Sequence, residues 1–182
     1  MENRLTISGY STALFSTWYF CDEMGILFDC GDGVSSGLLQ KARKIKHVFI
    51  SHADRDHLGG LLQFLQLNGR PGLRVYYPKD CGSFPYIAEF SKKFDPHVKQ
   101  TQWIPLDAGE SVTIRNDLSV TALENRHVPT DGELKKSFTY IAESISSRLK
   151  PENEGKPGQE LARLRKTLGD DAVSDRVRST LL

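Results

Sequence analysis

The chain has 182 residues, of which 38% are hydrophobic and 26% charged, as in an ordinary globular protein with one sizeable core. Its formal net charge of +1 excludes a strong overall electrostatic attraction to nucleic acids or membranes. Any polyanion must therefore bind to a locally basic patch of the surface. Three cysteines without a CxxC spacing, no apolar leader and no membrane-length apolar run predict a cytoplasmic protein that does not enter a membrane.

Short apolar strands alternate with helical patterns over the first 145 residues, which predicts an α/β domain at 1–145. Strands are expected at 5–7, 18–20, 25–29, 47–50, 73–77, 102–106, 112–114, 118–123 and 138–141. Helices are expected at 35–42, with Leu38 and Leu39 inward, and at 58–67 and 84–94. His47 opens one of the strands without a ligand partner two residues on, so we interpret it as structural.

The composition changes after Ser146. Residues 150–158 have the Pro, Gly and charge content of a linker, 159–168 form a basic amphipathic pattern, and 170–182 are polar and weakly helical. We therefore assign 146–182 to a linker with a basic amphipathic helical tail. Possible contacts to RNA phosphates in this tail are Lys156, Arg163, Arg165 and Lys166, although a solvated helix face is the commoner meaning of such charges.

The segment 49–60 carries the strongest chemical signal in the chain. Within six residues it holds His52, Asp54, Asp56 and His57, after an apolar β-branched run and before a helical pattern. Because alternate side chains of a strand end point the same way, His52 and Asp54 share one side, and the other two residues open the next helix. Four nitrogen and oxygen ligands at one corner predict one or two divalent metals, with a plain polar turn as the alternative.

Three ordered motifs resemble the metallo-β-lactamase superfamily. The HxDxDH run at 52–57 is similar to its HxHxDH signature, with Asp54 where the second histidine usually stands. The run FDCGDG at 28–33 resembles the FDCGEGT element of the ribonuclease Z branch, which trims the 3′ end of precursor tRNA. The segment 127–129, ahead of a strand, resembles the next histidine motif of that branch, and 156–158 its Pro-Gly-containing arm.

The resemblance implies a metallo-β-lactamase-like αββα sandwich and a metal-dependent hydrolase with a phosphodiester or RNA substrate. It implies that His52, Asp54 and His127 hold one divalent ion, and that Asp56 and His57 hold a second. Two ions would lower the pKa of a water and clamp the phosphate oxygens of an in-line displacement. Zinc is expected, but the harder oxygen of Asp54 increases tolerance of manganese, iron or magnesium.

Two further roles follow from the resemblance. Asp56 would position or deprotonate the attacking water, and Asp29 would fix the motif loop by hydrogen bonds from outside the ligand set. The family also needs a late aspartate and a final histidine, whereas this sequence has no histidine after His127. We therefore expect the second half of the sandwich to be incomplete, with a homodimer or a complementing chain as a possible partner.

Two alternatives stay open at this point. A truncated or degenerate member could keep the first-half scaffold and act as a non-catalytic binding protein, an interpretation favoured by Asp54 and the missing late histidine. A hydrolase of small molecules or DNA would need the same fold and the same motifs, because one such site supports many chemistries.

Overall fold

A computed structural model describes residues 5–94, 96–130 and 134–181 of the chain. The chain divides into two compact units, one formed by 1–110 with 122–140 and the other by 111–121 with 141–182. This division differs from the predicted boundary at 145, because it assigns a strand pair from the middle of the chain to the unit that holds the tail. Within the described ranges, no helix combines the length and apolarity that crossing a bilayer requires.

A six-stranded sheet forms the centre of the first unit. In spatial order its strands are β1 (Ile7–Thr12), β2 (Ser16–Cys21), β3 (Ile26–Phe28), β4 (His47–Phe49), β5 (Arg74–Pro78) and β6 (Gln102–Leu106). The first three strands are antiparallel and β3 to β6 are parallel. The carboxyl ends of the parallel strands therefore share one edge of the sheet, which is where α/β proteins carry their functional loops.

The first strand lies farther along the chain than predicted. Residues 5–7 were expected to form it, but β1 starts at Ile7 and pairs with β2 from Ile7↔Cys21 to Thr12↔Ser16. The extension is polar and glycine-containing, so its strand character comes from pairing with β2 and not from local apolar pattern.

Both predicted helices around the site are broken in the structure. The first is α1 (Val34–Leu38), followed by a 3-10 helix (Leu39–Lys44). Leu38 is buried as predicted, but the inward orientation expected for Leu39 is wrong, since this residue is 73% exposed. It has a φ of 48°, and this left-handed conformation turns the chain out of the α-helix.

The second broken helix consists of α2 (Arg55–Leu58) and α3 (Leu61–Asn68). Gly60 lies between them against the carbonyl oxygen of Gly31, leaving no space for a Cβ atom. The apolar spacing that predicted one continuous helix contains no signal for this tertiary contact. The next helix, α4 (Ser83–Phe94), lies where the sequence predicts it.

A second sheet contains four strands. In spatial order these are β10 (Ser174–Leu181), β9 (Phe138–Leu149), β8 (Leu118–Glu124) and β7 (Ser111–Arg115). Within the first unit, the start of β9 packs on the first sheet, because the hydroxyl of Tyr140 donates to the carbonyl of Ile50 (2.9 Å) and its ring meets Phe49 edge-on at 5.1 Å. The two sheets and their helices confirm the predicted mixed α/β class.

The second unit contains a strand that the sequence did not predict. The helix α5 (Gly158–Leu168) coincides with the pattern expected at 159–168, but 174–181 form β10 where weak helicity was expected. It pairs antiparallel with β9 from Ser174↔Leu149 to Leu181↔Ala142. The segment expected as a linker is also ordered, because the buried Asn153 donates its amide to the carbonyls of Ala172 and Val173.

His47 occupies a buried position at the start of β4. Its Nδ1 atom lies 3.2 Å from the hydroxyl of Tyr76, on whose ring it stacks. Burial, together with the charges of Arg74 and Lys46, lowers the pKa of His47 to about 4. In the unfolded chain its pKa is close to 6.5. The stability associated with neutral His47 is therefore complete above pH 6.5 and is lost as the pH falls from there toward 4.

The replacement His47→Gln should flatten the pH dependence of the unfolding free energy. Between pH 7 and 5, the unfolding free energy of the wild type should fall by about 2 kcal/mol through this residue. The reason is that His47 becomes protonated in the unfolded chain but stays neutral in the folded chain. Urea denaturation at several pH values, in chelator, measures the effect for both proteins. Parallel pH profiles of the two proteins would contradict the prediction.

Candidate metal centre

Metal-ligating side chains from two distant parts of the chain meet beyond the carboxyl end of β4. His52 and Asp54 come from the loop between β4 and α2, and His127 comes from the loop between β8 and β9. One ligand atom of each lies within 4.8 Å of the others. The Oδ2 atom of Asp54 is 3.3 Å from Nε2 of His52 and 3.9 Å from Nε2 of His127. His52 is 4% exposed, whereas the other two side chains are 59% and 62% exposed, so the group opens to solvent on one side.

Asp56 and His57 lie in α2 beside this group. The ring of His57 is 4.1 Å from that of His52, and the latter is 4.6 Å from the ring of His127. The Nε2 atom of His57 is 3.5 Å from Oδ2 of Asp56. The structure thus brings together all five side chains that the sequence singles out as ligands, and the His52 ring contacts both other histidine rings.

The residues present fit a divalent cation. The Nε2 atom of His52 is buried and has no hydrogen-bond partner among the described residues. A buried polar atom without a partner is costly, and a cation on its lone pair would remove that cost. Imidazole nitrogens with a carboxylate oxygen form the donor set that zinc accepts, and the carboxylate also suits manganese or iron.

Asp29 and Ser51 hold both histidines in the ligand-ready tautomer. The backbone N–H (2.7 Å) and hydroxyl (2.9 Å) of Ser51 donate to Oδ1 of Asp29, and Nδ1 of His57 donates to its Oδ2 (2.7 Å). Since the hydroxyl donates to Asp29, its oxygen accepts the Nδ1 proton of His52 at 2.8 Å. Both imidazoles therefore present an unprotonated Nε2 to the centre, as outer carboxylates commonly arrange.

The pKa values of the two inner histidines shift in opposite directions. Burial and the neighbouring His57 lower the pKa of His52, which keeps it in the neutral, metal-binding form. Burial also lowers the pKa of His57, but the hydrogen bond and charge of Asp29, with the charge of Asp56, outweigh it and raise the pKa overall. The raised pKa means that Nε2 of His57 binds a proton more readily, and a cation at this atom has to compete with that proton.

The FDCGDG run positions the ligands through its backbone. Cys30 donates its N–H to the carbonyl of His57 (2.8 Å) and accepts from the N–H of Gly60 (2.9 Å). Gly31 lies so close to the carbonyl oxygen of Asp56 that a Cβ atom does not fit. The backbone of this run therefore packs against α2 and fixes the position of that helix, which carries two of the candidate ligands.

Ser51 is the member of the site that sequence reasoning missed. Serine is common at strand ends, and the only feature of the sequence that links Ser51 to the site is that it directly precedes His52. The hydrogen bonds that define its role reach Asp29, which lies 22 residues earlier in the chain.

The four basic residues predicted to contact RNA lie in the second unit. Lys156 donates to Asn153 (2.6 Å), and Arg165 lies 3.5 Å from a carboxylate oxygen of Asp170. Arg163 and Lys166 are exposed on α5. Contact of this helix with RNA stays a prediction, and the two exposed residues are the better placed to make it.

Comparisons with known proteins agree on one family. A family model described as a beta-lactamase superfamily domain matches residues 25–145. The nuclear ribonuclease Z of Triticum aestivum is 32% identical over 178 residues, which cover 89% of this chain and 91% of that protein. The chloroplastic tRNase Z TRZ2 of Arabidopsis thaliana is 25% identical over 166 residues, covering 88% of this chain but 44% of that protein. The chain therefore spans nearly all of one relative and less than half of the other.

A solved structure has the same fold. The crystal structure of human tRNase Z, short form, superposes with a TM-score of 0.52 at 20% identity, covering 76% of this chain and 63% of that one. At this identity the likeness concerns the fold alone.

The replacement Asp29→Asn should weaken zinc binding about 10- to 100-fold, because the amide cannot accept from Ser51 and His57 as the carboxylate does. Asparagine tolerates the left-handed φ of 56° at this position, so the backbone should be retained. Isothermal titration calorimetry with zinc measures the change. The exposed Asp32 gives the control Asp32→Asn, with wild-type affinity expected. Equal zinc affinity in the two variants would contradict the prediction.

Proposed function

Because the chain belongs to the metallo-β-lactamase superfamily, and within it to the ribonuclease Z family of metal-dependent hydrolases, we propose that it cleaves phosphodiester bonds in RNA, with the 3′ end of precursor tRNA as its substrate. The observation that supports this most directly is the solvent-open group of His52, Asp54 and His127 beside Asp56 and His57. The names of the wheat and Arabidopsis relatives support the choice of RNA over other phosphodiesters.

The proposed assignment places one divalent ion with His52, Asp54 and His127 and a second with Asp56 and His57. Bound ions supply Lewis-acid polarisation of the phosphate and a lowered water pKa. Zinc is the first choice, and manganese, iron or magnesium are alternatives because Asp54 contributes a hard oxygen where the family has a nitrogen.

Asp56 is the proposed general base. Its side chain is 15% exposed, and its Oδ2 atom lies 3.5 Å from Nε2 of His57. It takes a proton from the attacking water as the water oxygen bonds to phosphorus and the bond from phosphorus to the leaving oxygen breaks. His57, held through its Nδ1 atom by Asp29, keeps α2 and therefore Asp56 in place.

Partner and location are part of the same proposal. A homodimer or a complementing chain is our proposed source of the late aspartate and histidine that the family resemblance implies. The three cysteines are free and buried, which favours a reducing compartment and supports a cytoplasmic location.

The replacement Asp56→Asn should lower kcat about 10²- to 10⁴-fold on both a precursor tRNA and a small phosphodiester ester, the usual cost of losing a general base. The assay uses protein of known metal content, and chelator should abolish turnover. Asp32→Asn serves again as the control, because this exposed carboxylate lies near the site in sequence and has no proposed role.

Three results would change the proposal. Metal-dependent turnover that survives Asp56→Asn would remove this residue from the catalytic role. A folded, metal-loaded chain without turnover would favour the non-catalytic binding protein. Preference for single-stranded DNA or the small ester over precursor tRNA would keep the hydrolase and replace the substrate.

A further inference from the structure

A cleft of about 440 Å³ opens beside the candidate metal centre, within the same unit. One wall is formed by residues 124–126 and 128–130, the chain neighbours of the candidate ligand His127, and the other by 134–136, just before β9. Its volume lies in the range of clefts that hold a ligand larger than a single small ion.

Several charged side chains line this cleft. Among the described lining residues, Arg126, Lys135 and Lys136 are cationic and Glu124 is anionic. Lys135 lies 2.7 Å from Glu124, and these two neutralise each other. Arg126 and Lys136, one on each wall, have no ion-pair or hydrogen-bond partner among the described residues.

The walls of the cleft are fixed in place without a ligand. The backbone N–H of Val128 donates to the hydroxyl of Ser137 (3.2 Å), and that hydroxyl donates to the carbonyl of Asn125 (3.2 Å). The N–H of Lys135 donates to Asp80 (2.7 Å), which ties the second wall to the loop after β5. Backbone groups on both walls are thus fixed by hydrogen bonds before binding, which reduces the entropy cost of capturing an anion.

We propose that this cleft binds the phosphate backbone of RNA next to the scissile bond, with Arg126 and Lys136 pairing with phosphate oxygens. The inference rests on the proposed function, because it names how the substrate of the same site is held. Arg126 directly precedes the candidate ligand His127 in the chain, so the cleft that it lines adjoins the metal centre.

A polynucleotide fits these features better than a free phosphate does. Two cations on opposite walls of one cleft can pair with successive charges of a chain, whereas a single phosphate needs one contact and leaves most of the volume empty. Arg126 offers a planar guanidinium that can bind two phosphate oxygens at once, and Lys136 offers a point charge.

The test compares the double variant Arg126→Gln/Lys136→Gln with the matched control Lys41→Gln/Arg43→Gln. Lys41 and Arg43 are exposed and lie before the amino-terminal end of β4, whereas the metal centre lies beyond its carboxyl end. Fluorescence anisotropy measures the binding of a precursor tRNA in chelator, between about 50 and 200 mM salt. Metal-dependent hydrolysis of a small phosphodiester ester is measured separately.

The cleft variant should bind RNA about tenfold more weakly, and the slope of log affinity against log salt should decrease by about 2, one for each lost phosphate contact. Its hydrolysis of the small ester should equal that of wild type, and the control should be unchanged in both assays. The conservative replacement Lys136→Arg should retain wild-type affinity, because it keeps the charge.

The outcomes separate this inference from the proposed function. RNA affinity and salt slope equal to those of the control variant would overturn the inference. Loss of small-ester turnover together with RNA affinity would also overturn it, because the two cations would then be acting on the metal centre. Absence of metal-dependent cleavage of both precursor tRNA and the small ester by wild-type protein would overturn the proposed function alone, since RNA binding is measured without metal.

Discussion

The buried carboxylate of Asp29 is the group on which the geometry of the metal centre depends. It follows β3 with a left-handed φ of 56° and accepts hydrogen bonds from the N–H and hydroxyl of Ser51 and from His57. A buried carboxylate without such donors would cost several kcal/mol, so the loops after β3 and β4 are constrained to meet. The same contacts also hold the strained backbone of Asp29 in place.

Ser51 connects this carboxylate to the second sheet. Its N–H and hydroxyl bind Asp29, its hydroxyl oxygen accepts from His52, and its carbonyl accepts from the N–H of Phe138 (2.9 Å) at the start of β9. The residue before Phe138, Ser137, in turn holds the loop that presents His127. Ligands that are 75 residues apart in sequence are therefore aligned by hydrogen bonds of Ser51 and Ser137, and not by their own side chains alone.

Sequence patterns predicted the elements of the structure that are determined by residues close together in the chain. The parallel strands show apolar β-branched runs, and the ligands from His52 to His57 lie in one segment where strand alternation defines a face. His127 could be identified as a ligand only through family resemblance, because β8 and β9 are what bring its loop close to His52 and Asp54. Contacts between distant segments explain the failures: β10 forms because β9 offers an edge, and Gly60 interrupts a helix because Gly31 packs against it.

The aspartate at position 54 and the cations of the cleft both change the positive charge that an anionic substrate meets. On the proposed assignment, two divalent ions face the carboxylates of Asp29, Asp54 and Asp56, which leaves a net charge of +1 where a histidine at position 54 would leave +2. A lower positive charge attracts a phosphodiester less strongly and raises the pKa of the attacking water. Arg126 and Lys136, which have no ion-pair partner among the described residues, line a cleft formed in part by the chain neighbours of His127. On our proposal, these two cations attract the neighbouring phosphates of an RNA chain from outside the ligand set, where they do not compete with the ions for His52.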